Sequence, residues 1–106
     1  MNKKISRSRN VAEKAMYAAF QVLKEAGGTL KTQEMIDQIS KKVQFDEWET
    51  TRYEKTGYIR WVSILHFYSI DCVKAGFLQK NKGSWILTSE GEEVMKKGAS
   101  AIFDEA

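Results

Sequence analysis

Residues 77–92 have the sequence FLQKNKGSWILTSEGE, and this stretch decides the fold. Two short β-prone runs, 77–80 and 84–88, flank Asn81-Lys82-Gly83, which is the pattern of a β-hairpin with a basic tip. Residues 89–92 (Ser-Glu-Gly-Glu) then have the spacing of a helical capping box. The stretch predicts a hairpin that is followed at once by a last helix.

Two helices are predicted in the first half of the chain. Apolar residues recur at intervals of three and four from residue 11 to residue 26, with Asn10 as a suitable N-cap and Gly27-Gly28 as the end. Residues 29–31 fit a short bridging strand. Thr32 then has the position of an N-cap for a second, short amphipathic helix.

A long third helix is predicted over residues 58–75, after a loop at 44–57. The loop exceeds the usual length of a featureless connection, which indicates either a turn of helix inside it or a functional role. The helix is apolar nearly all round, as expected for a central helix or one shared with a partner. Its predicted core face comprises Ile59, Val62, Leu65, Ser69, Cys72, Val73 and Gly76, and its predicted apolar outer face comprises Trp61, Ile64, Phe67 and Tyr68.

This order of elements predicts an α+β fold, mainly α: a winged helix-turn-helix whose wing is the C-terminal β-hairpin. In such folds the third helix enters the major groove of DNA. We expect a basic N-terminal arm at residues 1–10, the winged-helix domain at 11–98, and a fraying tail or the start of a linker at 99–106.

Composition excludes several classes of protein. The 106 residues suffice for one domain, and a single cysteine, Cys72, excludes an internal disulfide. No apolar run approaches the ~20 residues of a membrane span, so a cytoplasmic location without membrane contact is predicted. His66 is the only histidine. With one histidine and one cysteine, both predicted on the core-facing side, a catalytic triad or a His/Cys zinc site lacks partners. We therefore expect no enzyme activity, no metal and no cofactor.

Charge is concentrated at the start of the chain. Residues 1–24 hold six basic side chains and one acidic one, whereas residues 25–106 hold eleven basic and thirteen acidic ones. A basic arm adds phosphate affinity to a nucleic-acid-binding domain, because each neutralised phosphate releases counterions. A solvated terminus explains the same residues equally well.

Three motifs follow one another in the second half of the chain: Arg60-Trp61, VKAGFL at 73–78, and GSWILTSEGE at 83–92. In this order they resemble the N-terminal winged-helix domain of Mrr-type restriction endonucleases. The resemblance implies a DNA-binding module that precedes a nuclease domain in prokaryotic restriction systems, often ones that attack modified DNA. Trp61 and Trp85 belong to these motifs, and we expect both to be structural, as large aromatic residues usually are.

The sequence departs from the family pattern in two ways. The third helix is longer than usual, with residues 64–71 as the extra part, and no Glu-x-Lys or Gln-x-Lys nuclease triplet occurs in the chain. Cleavage would therefore need a separate or missing domain. Trp48 lies in an acidic loop that repels phosphate, so we expect it to dock a partner or to pack over the third helix.

Candidate DNA contacts are polar residues at three places: the start of the second helix, the approach to the third helix with its first turn, and the hairpin tip. Free backbone N–H groups at a helix start suit a phosphate, and arginine pairs with guanine. Each residue singly is as well explained as a solvated or ion-paired side chain, for example Arg52 with Glu49. The candidates are Lys31, Thr32, Gln33, Arg52, Tyr53, Lys55, Tyr58, Arg60, Ser63, Lys80, Asn81 and Lys82.

The predicted partner is double-stranded DNA, together with a C-terminal or separate nuclease domain. Two alternatives stay open. One is a protein-interaction or homodimeric winged helix that uses the apolar outer face of the third helix. The other is a small transcriptional regulator with the same DNA contacts. Salt dependence separates DNA binding from apolar association.

Overall fold

The structure, a computed structural model, describes residues 6–106. It is mainly α-helical with one three-stranded antiparallel sheet, so the predicted α+β class is confirmed, and the arrangement is compatible with a winged helix. The elements in chain order are α1 (Arg7–Glu25), β1 (Thr29–Lys31), α2 (Thr32–Lys42), α3 (Glu47–Thr50), α4 (Arg60–Lys74), β2 (Leu78–Asn81), β3 (Ser84–Leu87), α5 (Ser89–Met95) and α6 (Ala99–Asp104).

The sheet has the strand order β1-β3-β2, so the short first strand pairs with the second strand of the hairpin. Lys82 and Gly83 connect β2 to β3 with φ values of 50° and 81°. Two successive residues with positive φ form the type I′ turn that matches the twist of a hairpin, and glycine at the second position lowers its cost. The predicted hairpin and bridging strand are both present.

Helix α1 is the centre of the core, and nine of its residues are buried. It packs against α2, α4, α5, α6 and the sheet. The helix begins at Arg7 because the Ser6 hydroxyl accepts a hydrogen bond from the Arg9 amide at 3.0 Å. The prediction that Asn10 is the N-cap was wrong, and Arg7 and Arg9 of the predicted arm are helical. The remaining arm residues 1–5 lie outside the described residues.

Two other predicted caps are displaced by one residue. Lys31 occupies the N-cap position of α2, and Thr32 is its first helical residue. Thr88, not Ser89, caps α5, since its Oγ1 accepts from the Gly91 amide at 3.0 Å and donates to the Gly76 carbonyl at 2.6 Å. The Thr88 side chain therefore ties α5 to the end of α4.

The segment after residue 98 forms a helix, α6, where a fraying tail or the start of a linker was expected. Ile102 is fully buried, and α6 packs against α1 and α5. Arg9 of α1 also contacts Asp104 of α6, with 3.1 Å between Nη2 and Oδ1. The buried Ile102, the contact of Phe103 with Tyr68 of α4 and this ion pair all hold the segment in place.

The faces of α4 differ from the prediction. Leu65, Ser69 and Cys72 are buried as expected, but the predicted outer residues Trp61 and Ile64 are buried too. Phe45 from the preceding loop stacks on Trp61 with 4.4 Å between ring centroids, which covers that side of the helix. Phe67 is exposed as predicted, whereas Val73, which was predicted on the core face, is exposed as well, together with Ile70.

The loop before α4 contains a turn of helix, as its length predicted. Asp46 and Glu49 form a capping box around α3, in which each side chain accepts from the other residue's backbone amide. Among residues 6–106, no helix has the length and apolar character needed to cross a membrane.

Candidate nucleic-acid interface

The start of α2 is bonded directly to the hairpin turn. The backbone amide and the hydroxyl of Thr32 both donate to the carbonyl oxygen of Gly83, each at 2.9 Å. In the sheet, Ser84 is opposite Lys31 in β1 and opposite Asn81 in β2. These bonds bring together four predicted residues: Lys31, Thr32, Asn81 and Lys82.

A groove of about 540 Å³ lies beside this junction, between α2 and the first half of α4. Four of the predicted residues line it, and Tyr58 at its edge is 64% exposed. The side-chain amide nitrogen of Gln33 donates to the Asp37 carboxylate at 3.1 Å, which leaves the side-chain oxygen of Gln33 free to accept a hydrogen bond. The groove is lined by Thr32, Gln33, Ile36, Tyr58, Val62, Ser63 and His66.

Arg52, Tyr53 and Lys55 lie in the segment between α3 and α4, and Arg60 is the first residue of α4. Arg52 donates from Nη1 to the Gly57 carbonyl at 2.7 Å. The suggested ion pair of Arg52 with Glu49 is absent from the described residues, because Glu49 instead accepts from Lys14 at 2.7 Å. Lys55 is exposed.

Trp48 packs over the start of α4, which was one of the two expectations for it. Its ring lies 4.3 Å from the guanidinium carbon of Arg60 and 4.1 Å from that of Arg7. Tyr53 approaches the same Arg60 guanidinium at 5.3 Å. Arg60, Trp48 and Tyr53 therefore form a second group, and none of the three lines the α2 groove.

Lys80 points away from the hairpin turn. Its Nζ donates to Ser69 Oγ of α4 at 2.6 Å and lies 4.6 Å from the centroid of the Trp85 ring. Burial lowers the pKa of Lys80. Lys80 and Trp85 are opposite one another in the hairpin and therefore share a face of the sheet. The hairpin register and the buried tryptophan were the signals for this placement.

Two residues set aside as core residues have different environments. Cys72 is fully buried, and this burial, together with Asp71, raises the pKa of its thiol to about 12. A thiol of that pKa is no nucleophile at neutral pH. His66 is only half-buried and lines the groove, with its ring edge-on to Trp85 at 5.7 Å. Burial and then Lys80 lower the pKa of His66, which favours the neutral ring.

The basic side chains of residues 6–106 fall into two groups. The paired cations have a carboxylate oxygen within 4.0 Å, and they are Arg7, Arg9, Lys14, Lys24, Lys42, Lys96 and Lys97. The unpaired cations of that part of the chain have none, and they are Lys31, Lys41, Arg52, Lys55, Arg60, Lys74, Lys80 and Lys82. Every basic residue among the predicted DNA contacts is unpaired.

A family model described as the Mrr N-terminal domain matches residues 13–97. The chain belongs to the Mrr N-terminal domain family. The match extends from α1 to α5 and includes the three motifs around Trp61 and Trp85. Membership of the Mrr N-terminal domain family links the chain to restriction systems. Searches of curated proteins and of solved structures found no significant match.

Both tryptophans of the family motifs are structural, as expected. Trp85 is 2% exposed and Trp61 is 3% exposed. Trp85 anchors the hairpin against α4 through Lys80 and His66, and Trp61 receives the Phe45 ring. In this Mrr N-terminal domain, these motif residues hold the α4–hairpin unit together.

Proposed function

We propose that this Mrr N-terminal domain is a winged-helix module that binds duplex DNA and catalyses no reaction itself. One observation carries the proposal: the basic residues predicted to contact DNA are all unpaired cations, whereas the remaining surface neutralises most of its basic side chains internally. Binding of a phosphate by an unpaired cation therefore breaks no ion pair with a carboxylate. Its role in a restriction system would be to direct a nuclease carried on another domain or another protein.

In the proposed complex, the phosphate contacts come from the junction of α2 with the hairpin turn. Lys31 and Lys82 supply charge, and the start of α2 supplies backbone N–H groups beside Thr32. The hairpin acts as the wing, and the first turns of α4 face the base edges. Tyr58 and Ser63 line the groove between α2 and α4, and their hydroxyl groups can donate hydrogen bonds to the phosphates of the DNA backbone.

The test is fluorescence-anisotropy titration of a short duplex at two salt concentrations, with two matched double variants. K31A/K82A removes two unpaired cations at the proposed interface, and K41A/K74A removes two unpaired cations at the far ends of α2 and α4. We expect the first variant to bind more weakly and its salt slope to fall by about 1.8, since each phosphate contact contributes about 0.9. The second variant should bind like the wild type.

Equal losses in the two double variants would mean that binding follows net charge alone, and this outcome would contradict the proposed interface. Absence of salt-sensitive binding by the wild type would contradict DNA binding itself. Comparison of methylated with unmodified duplex in the same assay shows whether base modification affects affinity.

A second candidate function is protein association, favoured by the exposed apolar residues of α4. Phe67 is 69% exposed and Ile70 is 50% exposed, on a helix that otherwise packs into the core. Sedimentation of the wild type and of F67S distinguishes this function: salt-resistant self-association that F67S abolishes would support it. A transcriptional regulator would share the DNA contacts and differ only in its target.

A further inference from the structure

Arg60 differs from the other arginines of residues 6–106 in the partners of its guanidinium group. Arg9 donates to Glu13 and Asp104, Arg52 donates to Gly57, and Arg7 has Asp46 at 3.6 Å. Within the described part of the chain, the Arg60 guanidinium has no hydrogen-bond acceptor and no carboxylate. Its contacts are with the two rings of Trp48 and Tyr53.

Cation–π contacts of this kind hold a guanidinium near a ring without a hydrogen bond to an acceptor. The face of the ring attracts the positive charge, and the five N–H groups of the guanidinium remain as donors. The ring contacts therefore restrict the rotamers of Arg60 and leave the N–H edge available to a ligand. An arginine that is already ordered loses less conformational entropy on binding.

The Trp48 ring also contacts an arginine of α1. Arg7 lies 4.1 Å from the ring centroid, and Asp46 both accepts from the Glu49 amide and approaches Arg7. Of the two arginines on this ring, Arg7 is neutralised and Arg60 is not. Arg7 therefore belongs to the support of the ring, and Arg60 is the residue that the ring presents.

The surroundings favour a neutral ligand over a phosphate. The segment that supplies the two rings, residues 44–57, carries four carboxylates and two cations, Arg52 and Lys55, so its net negative charge disfavours a phosphodiester. A guanine edge carries no net charge and offers two acceptors, O6 and N7, at the spacing of a guanidinium fork. Arg60 begins α4, and residues at the start of a recognition helix are those that reach base edges.

We propose that Arg60 contacts the O6 and N7 atoms of a guanine in the major groove, with Trp48 and Tyr53 as positioning residues. This inference rests on the proposed DNA binding for its ligand. It adds a base-reading group that is separate from the phosphate contacts of Lys31 and Lys82.

The probe is a 20-base-pair duplex made only of dG·dC pairs in mixed strand order, compared with the same duplex in which 7-deaza-dG replaces dG. The replacement removes the N7 acceptor and leaves the phosphates unchanged. Wild type should bind the unmodified duplex about tenfold more tightly, as expected when a bidentate contact loses one of its two acceptors. In R60A that preference should disappear. In R60K it should also be lost, because an ammonium keeps the charge but lacks the planar fork.

The positioning role has its own variants. W48L should lower the preference for the unmodified duplex several-fold, W48F should retain most of it, and K55A, which removes an exposed cation from the same segment, should leave it unchanged. Thermal unfolding of each variant checks that the domain is folded, and W48F keeps an aromatic core contact if W48L is unstable.

Four outcomes would overturn the inference or part of it, each in a different way. If R60A weakens both duplexes equally and lowers the salt slope by about 0.9, Arg60 binds a phosphate instead. If W48L keeps the full preference, Trp48 has no positioning role. If wild type shows salt-sensitive binding that K31A/K82A reduces but no preference for N7, DNA binding stands and the guanine contact fails. Absence of all binding would remove the proposed function and this inference together.

Discussion

Most paired cations of residues 6–106 lie on a different part of the surface from Lys31, Arg60 and Lys82, although Arg7 shares the Trp48 ring with Arg60. On the surface formed by α1, α5 and α6, basic side chains bond carboxylates of neighbouring helices: Arg9 with Asp104, and Lys24 with Glu92. At the α2–hairpin junction and the start of α4, basic side chains have no such partners within residues 6–106. Charge in the first region connects helices to one another, whereas charge in the second is available for the proposed contacts with DNA.

The largest expected effect comes from the region of paired cations. I102A removes the fully buried side chain of α6 and should lower the free energy of unfolding by about 2–5 kcal/mol, as for other large-to-small core changes. Urea unfolding measures the change. At a temperature where the variant is folded, its DNA affinity should equal that of the wild type, because α6 carries no proposed contact. Reduced DNA affinity of the folded variant would mean that the α6 region also contributes to DNA binding.

A smaller effect is expected at the α2–hairpin junction. T32V removes the hydroxyl bond to Gly83 but keeps the amide bond, and should cost about 0.5–1.5 kcal/mol of stability. DNA affinity should fall as well, since the hydroxyl also fixes the position of the wing. Chemical unfolding and anisotropy are measured on the same sample. Full affinity in T32V would show that the junction matters for folding only.

His66, in the groove between α2 and α4, predicts a pH dependence of stability. Its folded-state pKa is lowered from 6.5 by burial and by Lys80, so the unfolded chain binds a proton at higher pH than the folded chain. Stability is therefore complete above about pH 6.5 and decreases as the pH falls below that value towards the folded pKa. Urea midpoints between pH 7.5 and 5.5 measure this. H66Q should flatten the profile, and an unchanged slope in H66Q would assign it to other groups.

The smallest expected effect is K97A, which removes an exposed ion pair with Glu105. Surface pairs contribute between about 0 and 1 kcal/mol, so both thermal stability and DNA affinity should be close to those of the wild type. K82A at the hairpin turn removes the same charge and should weaken DNA binding. Similar losses of DNA affinity in K97A and K82A would contradict the expectation that only the unpaired cation at the hairpin turn contacts DNA.

Local sequence signals predicted the parts of the fold whose geometry is local. Lys82-Gly83 between two β-prone runs specified the hairpin, and Gly27-Gly28 ended α1 at the expected place. The orientation of α4 was not predictable in this way, because the Phe45 ring that covers Trp61 comes from a distant loop position. Helix α6 gave a weak local pattern, and tertiary burial of Ile102 is what orders it.

The candidate site was predictable to the same degree. The residues at the start of α2 and at the hairpin turn were identified singly, and only the sheet register brings Lys31 and Asn81 into one row. The role of Trp48 beside Arg60 depends on a contact between a loop and a helix start, which no spacing in the sequence encodes. Lys80 was predicted with the hairpin tip, whereas its register opposite Trp85, which follows from the hairpin itself, places it against α4.

The two hydrogen bonds from Thr32 to Gly83 link the hairpin turn directly to the start of α2. Beyond this junction, Met35 and Ile39 of α2 are fully buried. A displacement of the hairpin turn by a bound duplex would be transmitted through α2 to α1 without an intervening flexible joint. If a bound duplex displaces the hairpin turn, the hydrogen-exchange rate of the Thr32 amide should change, even though Thr32 need not touch the DNA.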